Sequence, residues 1–238
     1  MSAPEVDALP EVGQTVARFG LSSRWVHGLT ATSMIICILT AAILYNGSIA
    51  VLVGHRYVVE QIHVLSGFAL PVPLVVGIVS RSYRDDARRL NRFAPRDWAW
   101  LRSRTRRDGT IEVGKFNAGQ KLNASLSAGS IGVLLVSGCV MYFARLTPLA
   151  WRSGATFVHD WFALAVGLLV VGHLVMAAKD PDAMTGIRTG RVPLRWARRE
   201  HAAWAREVAG DTPEPDPGPD PEARTPDTRG ESGRHPMW

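Results

Sequence analysis

Four of the seven histidines in this chain lie in, or at the ends of, long stretches of apolar and uncharged residues. An imidazole placed in hydrocarbon needs partners for its ring nitrogens, so each is a candidate metal ligand or proton relay. These four are His27, His63, His159 and His173. The remaining three lie in polar segments and are interpreted as ordinary solvated side chains: His55, His201 and His235.

The apolar stretches are long enough to cross a membrane. Each runs for 18 to 23 residues without Asp, Glu, Lys or Arg. About 20 residues of helix span a hydrocarbon core of about 30 Å. We therefore predict an all-α, polytopic membrane four-helix bundle. Its spans are predicted at about 24–45, 59–80, 119–144 and 155–178.

The segments outside the spans differ in composition. Residues 18–207 are predicted to form the membrane domain, with a polar loop at 81–118. Residues 1–17 are expected to be flexible, and 208–238, rich in Pro and Asp, are expected to form a disordered tail. The basic, Trp-containing stretch 190–207 predicts a short amphipathic helix on the headgroup layer.

Positive charge is concentrated in alternate loops. Eleven Lys and Arg lie in 81–117 and seven in 179–206, whereas the loop 46–60 contains only Arg56. Basic loops stay in the cytoplasm, so both termini are predicted on the cytoplasmic side of the plasma membrane. The isoelectric point near 9.9 then indicates contact with anionic lipid rather than with nucleic acid.

This topology pairs the histidines by depth. His27 and His173 fall towards the inner surface, and His63 and His159 towards the outer one. His159 and His173 are fourteen residues apart in one span, which separates them by about 21 Å on nearly the same helix face. The pattern predicts two metal sites, one near each leaflet.

Two b-type haems fit this pattern best, because haem iron accepts axial imidazoles and its macrocycle packs between helices. A zinc site would need its ligands to converge at one point. No Cys-x-x-Cys-His motif for covalent haem attachment is present. The two cysteines, Cys37 and Cys139, lack the spacing of an iron–sulfur site, so any such cluster must belong to another chain.

The polar segment before the third span offers Asn117 and Gln120. Their amides could bind a quinone carbonyl, or Asn117 could simply cap the helix that follows. The spacing alone favours the cap.

Several motifs together resemble the gamma subunit of membrane-bound formate dehydrogenase, over about residues 18–207. They are Arg24-Trp25-Val26-His27, the segment Gly114-Lys115-Phe116-Asn117-Ala118-Gly119-Gln120-Lys121, the spacing of His159 and His173, and the run from Met184 to Trp204. The resemblance implies a dihaem cytochrome b. It assigns His27 and His173 to an inner haem, His63 and His159 to an outer one, and Asn117 to a quinone pocket.

The resemblance also implies partners and a role in anaerobic respiration. The chain would take electrons from an iron–sulfur (beta) subunit attached to a molybdopterin or tungstopterin catalytic (alpha) subunit, and would reduce menaquinone or ubiquinone. It would be the electron-transfer subunit, with no substrate-oxidising site of its own. Two alternatives remain open: the cytochrome b subunit of a hydrogenase or other molybdopterin oxidoreductase, and a non-redox membrane anchor or transporter.

Overall fold

A computed structural model describes residues 13–105 and 110–210 of the chain. Helices make up most of this part, together with one two-stranded antiparallel sheet. The helices are α1 (Leu21–Tyr45), α2 (Gly47–Val53), α3 (Arg56–Ala69), α4 (Val72–Gly77), α5 (Arg81–Asn91), α6 (Pro95–Arg102), α7 (Ala118–Tyr142), α8 (Leu149–Ala178), α9 (Pro181–Thr189), α10 (Leu194–Glu200) and α11 (Ala202–Ala209). The strands are β1 (Thr15–Ala17) and β2 (Arg191–Pro193).

Four segments are long and apolar enough to cross a membrane: Leu21–Tyr45, Arg56–Gly77, Ala118–Tyr142 and Leu149–Ala178. Many of their large apolar side chains face outward, as expected for helices surrounded by lipid. The chain is therefore an all-α, multi-pass membrane protein. Helix α8 begins at Leu149 rather than near 155, because a helix can continue past the hydrocarbon boundary to include charged residues such as Arg152.

The second span is interrupted at a proline. Helix α3 ends at Ala69 and α4 begins at Val72, so the break includes Pro71. Proline has no N–H to donate, and its ring clashes with the preceding helical turn. The chain continues in the same direction because the Leu70 N–H donates to Ser66 and the Val75 N–H donates to Pro71.

An apolar core lies where the four spans meet. Each span contributes one buried side chain to it: Met34, Leu70, Ile131 and Val166. Partly buried apolar residues surround this group: Ile38, Leu74, Leu134 and Val170. Because lipid tails are as apolar as these side chains, such contacts hold helices together through close packing rather than through the hydrophobic effect.

The polar cap, defined here as residues 13–20, 81–105, 110–117 and 179–210, covers one end of the bundle. A second core lies within it and contains the fully buried Val192, Trp196 and Ala197, together with Trp204 and Ala205. The expected amphipathic helix at 190–207 is wrong as a single element. Strand β2 and helices α10 and α11 replace it, and their apolar side packs on the chain itself.

Residues 15–17, expected to be flexible, form strand β1. Val16 lies opposite Val192 in β2 and packs against the core of the polar cap. The alternating pattern of Thr15, Val16 and Ala17 is too short to predict a strand, because its partner lies far along the chain. Residues 1–12, which were also expected to be flexible, and the predicted tail beyond Gly210 lie outside the described residues.

Arg18 follows this strand and is buried, with its guanidinium carbon 4.4 Å from the centre of the Trp196 ring. Its Nη2 donates to the Lys115 carbonyl, while Nε and Nη1 have no hydrogen-bond partner among the described residues. Burial lowers the pKa of Arg18 to about 10, although the charges of Asp180 and Asp86 act in the opposite direction. The buried guanidinium is therefore stabilised by stacking on the Trp196 ring as well as by its hydrogen bond to Lys115.

Two largely buried ion pairs lie where the polar cap meets the spans. The Lys121 ammonium, at the start of α7, lies 2.7 Å from Asp97 of α6 and also donates to the Arg92 carbonyl. Lys115 pairs with Asp86 of α5, and the same carboxylate accepts from the Ser23 hydroxyl of α1. Contacts from α1, α5, α6 and α7 thereby hold the basic loop against the membrane domain.

We predict that Lys121→Met strongly destabilises the protein. Lys121 and Asp97 are only 9% and 6% exposed, so the change leaves a buried carboxylate without a counter-charge. The expected cost is about 3–5 kcal/mol. It should appear as a lower midpoint of thermal unfolding in detergent. Arg88→Met is the control, because its pair with Asp85 is mostly exposed and is worth about 0–1 kcal/mol. Equal effects of the two changes would contradict the prediction.

Candidate functional site

The structure brings the four intramembrane histidines together as two facing pairs. The rings of His27 in α1 and His173 in α8 have their centres 6.3 Å apart, with 58° between their planes. The rings of His63 in α3 and His159 in α8 have their centres 6.2 Å apart, with 66° between their planes. These are the two pairs that the depth argument predicts.

The spacing within each pair fits two imidazoles on a single metal ion. A metal–imidazole bond is about 2.0–2.1 Å long, and about 1.1 Å separates each nitrogen from its ring centre. Two such bonds in line place the ring centres about 6.3 Å apart. Both pairs match this distance, so the spacing of the rings is that required for a shared iron ion.

Each pair offers two candidate metal ligands. Within residues 13–105 and 110–210, no group of three or more His, Cys, Asp or Glu side chains is placed to hold a metal. A structural zinc site needs four protein ligands, whereas haem supplies its own equatorial nitrogens and needs only axial ones. The donor set therefore fits haem.

Glycines near the histidines leave room for a large planar group. A Cβ atom added to Gly28, Gly67 or Gly172 would meet nothing within 4 Å. Gly67 lies one turn after His63, on the same face of α3. Gly138 of α7 has a different role, because a Cβ there would lie 3.4 Å from Cε1 of His159. This glycine allows α7 to approach the outer ring closely.

The apolar core separates the two pairs along the bundle axis. In α8, Val166 is seven residues from both His159 and His173. In the first span, Met34 follows His27 by seven residues, and in the second span, Leu70 follows His63 by seven residues. Seven residues of helix span about 10.5 Å. The core therefore lies midway between the pairs and maintains their separation of about 21 Å.

Two hydroxyl side chains lie within hydrogen-bond distance of the outer histidine rings. The Thr40 hydroxyl of α1 is 2.9 Å from Nδ1 of His63, and the Ser137 hydroxyl of α7 is 3.0 Å from Nδ1 of His159. Among the described residues, the rings of His27 and His173 have no corresponding bond. Neither hydroxyl was predicted from the sequence, although a Thr or Ser with only apolar neighbours on both sides, deep within a span, is a signal that could have found them.

Asn117 and Gln120 form a capping box at the start of α7. Oδ1 of Asn117 accepts from the Gln120 N–H at 2.9 Å, and Oε1 of Gln120 accepts from the Asn117 N–H at 3.0 Å. This confirms the helix-cap interpretation. The amide nitrogens of both side chains remain without a hydrogen-bond partner among the described residues. The recess beside Asn117 and Trp100 is about 10 Å³, which holds no more than one water.

The interpretation of His201 as solvated is wrong. Its side chain is buried, with Nδ1 2.7 Å from the Gly114 carbonyl and Nε2 3.1 Å from Nη2 of Arg18. Because the carbonyl only accepts and the guanidinium only donates, the proton lies on Nδ1 and Nε2 is an acceptor. His201 is therefore structural. His55 is exposed, as expected, and precedes α3 in a left-handed conformation (φ 49°); His235 lies outside the described residues.

The spans and their facing histidines define a multi-pass membrane cytochrome. Residues 18–184 match the family model described as prokaryotic cytochrome b561, and the chain belongs to that family. Its cofactor is haem b.

Curated relatives of the chain are cytochrome subunits. It is 32% identical over 100 residues to the nitrate-inducible formate dehydrogenase cytochrome b556(Fdn) subunit of Escherichia coli (strain K12), over 41% of this chain and 46% of the relative. It is 34% identical over 99 residues to the formate dehydrogenase cytochrome b556 subunit of Haemophilus influenzae, over 40% of this chain and 41% of the relative. The chain thus spans less than half the length of these relatives.

We predict that Gly67→Leu lowers the haem content of the purified protein. The new side chain would project beside His63, where the added Cβ alone meets nothing, and would occupy the space that a macrocycle needs. Haem per chain, measured as the pyridine haemochrome, should fall by about half if each histidine pair binds one haem. Gly47→Leu is the control, because Gly47 is equally unobstructed but lies in α2, outside the spans. Unchanged haem in Gly67→Leu would contradict the prediction.

Proposed function

We propose that this chain is the dihaem cytochrome b subunit of a formate dehydrogenase-type complex and carries electrons through the membrane to quinone. The observation that carries the proposal is the presence of two facing imidazole pairs, each spaced for one iron and separated in depth. His27 and His173 bind the inner haem, and His63 and His159 bind the outer haem.

Bound haem supplies one-electron chemistry, since its iron alternates between ferric and ferrous states. The chain determines where that chemistry takes place. Helix α8 would provide one ligand to each site, so one continuous helix would determine the distance between His159 and His173 and hence between the two haems. The apolar core around Val166 excludes water and charge from the space between the sites.

The direction of transfer follows from the proposed orientation. The polar cap carries the basic segments and therefore lies on the cytoplasmic side, together with both termini. His63 and His159 then lie towards the outer surface, where an iron–sulfur subunit would deliver electrons. His27 and His173 lie near the cap, where quinone would be reduced and would take up protons from the cytoplasm.

The proposed substrate, formate, comes from the names of the relatives, which are formate dehydrogenase subunits. The proposed partners, a catalytic molybdopterin or tungstopterin (alpha) subunit and an iron–sulfur (beta) subunit, come from the resemblance of the sequence to the gamma subunit of membrane-bound formate dehydrogenase. Menaquinone or ubiquinone is the proposed acceptor. A second candidate is the cytochrome subunit of a hydrogenase or another molybdopterin oxidoreductase, which the family match equally allows.

We predict that single histidine changes remove the haems separately. His27→Ala and His173→Ala should each remove one low-spin haem, and His63→Ala and His159→Ala should each remove the other. A pyridine haemochrome assay combined with low-temperature EPR resolves the two. His55→Ala is the control and should retain both haems, because His55 is exposed outside the pairs. If His27→Ala and His63→Ala removed the same haem, the pairing would be wrong; a colourless wild-type protein would support a non-redox anchor or transporter.

We predict that Asn117→Asp slows electron exchange with quinone while leaving α7 capped. Aspartate keeps an acceptor oxygen for the Gln120 N–H but replaces the amide donor proposed to bind quinone. The rate of haem reduction by quinol should fall about tenfold, the equivalent of one hydrogen bond of about 1.4 kcal/mol.

The matched control is Asn46→Asp. Asn46 caps α2 in the same way, by accepting from the Ile49 N–H, but lies at the opposite end of the bundle. Its quinol rate should equal that of the wild type. If Asn117→Asp also retained the wild-type rate, Asn117 would be a cap and no more.

A further inference from the structure

The outer pair differs from the inner one in how its rings are held. Each of the four spans contributes one residue to the outer site: Thr40 from α1, His63 from α3, Ser137 from α7 and His159 from α8. Both hydroxyl residues are buried. At the inner site, the nearby Thr32 hydroxyl donates to the Gly28 carbonyl, not to a ring. The two sites therefore have the same pair of candidate ligands and differ in the hydroxyl groups beside them.

The hydroxyl protons are directed away from the histidines. Thr40 donates to the Ile36 carbonyl at 2.7 Å, four residues earlier in α1. Ser137 donates to the Val133 carbonyl at 2.7 Å, four residues earlier in α7. A hydroxyl has a single proton, so the lone pairs of each oxygen face the neighbouring imidazole. Nδ1 of His63 and of His159 must then be the donor.

We propose that Thr40 and Ser137 are positioning residues, which hold the two outer histidines as Nδ1–H tautomers with Nε2 towards iron and lower the potential of the outer haem. The inference rests on the proposed assignment of these histidines as ligands. With the proton on Nδ1, the lone pair is on Nε2, the nitrogen available to a metal. Neither ring then has to change tautomer in order to bind iron.

The effect on potential follows from ligand basicity. An imidazole that donates a hydrogen bond from its free nitrogen becomes a stronger electron donor to the metal. A stronger donor stabilises ferric over ferrous iron and lowers the reduction potential. Because the inner rings have no such bond among the described residues, the hydroxyls shift the outer haem in the direction that favours electron transfer inward.

The test is a potentiometric titration of the haem-loaded protein, with Thr40→Val, Ser137→Ala and the double variant. The outer haem's midpoint potential should rise in each single variant and rise further in the double, with altered low-spin EPR g values. The inner haem should not change and serves as the measure of intact folding. The conservative variants Thr40→Ser and Ser137→Thr keep the hydroxyl, so the outer haem should retain its wild-type midpoint potential.

The control is Thr156→Val. Its hydroxyl, one turn before His159, donates to the Arg152 carbonyl and has no bond to a histidine, so the outer potential should remain at the wild-type value. Loss of the outer haem in Thr40→Val but not in Thr40→Ser would also support the proposal. Equal potentials in Thr40→Val and Thr40→Ser, or equal loss of haem in both, would overturn it. Failure of the ligand assignment is distinguishable, because His63→Ala would then leave the outer haem in place.

Discussion

An imidazole ring in hydrocarbon is costly unless its nitrogens have a hydrogen-bond partner or a metal, and this constraint bears on how the spans of this protein are arranged. Helix α8 carries two of the rings, and each lies opposite a second imidazole from elsewhere in the chain. Helix α1 provides that partner at one depth and α3 at the other. Any rotation of α8 that moved one ring away from its partner would also move the other, so the two sites restrict the packing of three helices together.

The membrane spans and the polar cap are stabilised in different ways. In the membrane the spans share one small apolar core, because lipid offers no hydrophobic drive for helices to associate. The polar cap faces water and can use the hydrophobic effect, so it buries Val192, Trp196 and Trp204 around Arg18. Its ion pairs, with the hydrogen bond from Ser23 to Asp86, hold the starts of α1 and α7 against α5 and α6. Arg24 of α1 also donates to the Ile187 carbonyl of α9, the helix that follows α8, so the cap connects the first span to the end of the last.

The sequence predicted the features that depend on local pattern. Uncharged runs of about 20 residues predict the spans, and the spacing of His159 and His173 predicts two sites on one face. The helix cap at Asn117 was predictable because capping joins residues three positions apart. His201 was misjudged, since its basic surroundings give no sign that Gly114 and Arg18 close over it. Strand β1 was missed for the same reason, because its partner lies about 175 residues away.

By itself the sequence determined the membrane spans, the identity of the candidate ligands and their pairing by depth, because hydropathy and helical periodicity are local properties of the chain. Only the tertiary structure decided that Thr40 and Ser137 meet the outer histidines, that the apolar core lies midway between the pairs, and that β1, Arg18 and His201 are buried in the polar cap. Those contacts join residues on different helices. Their formation depends on helix rotation and close packing, which no single segment encodes.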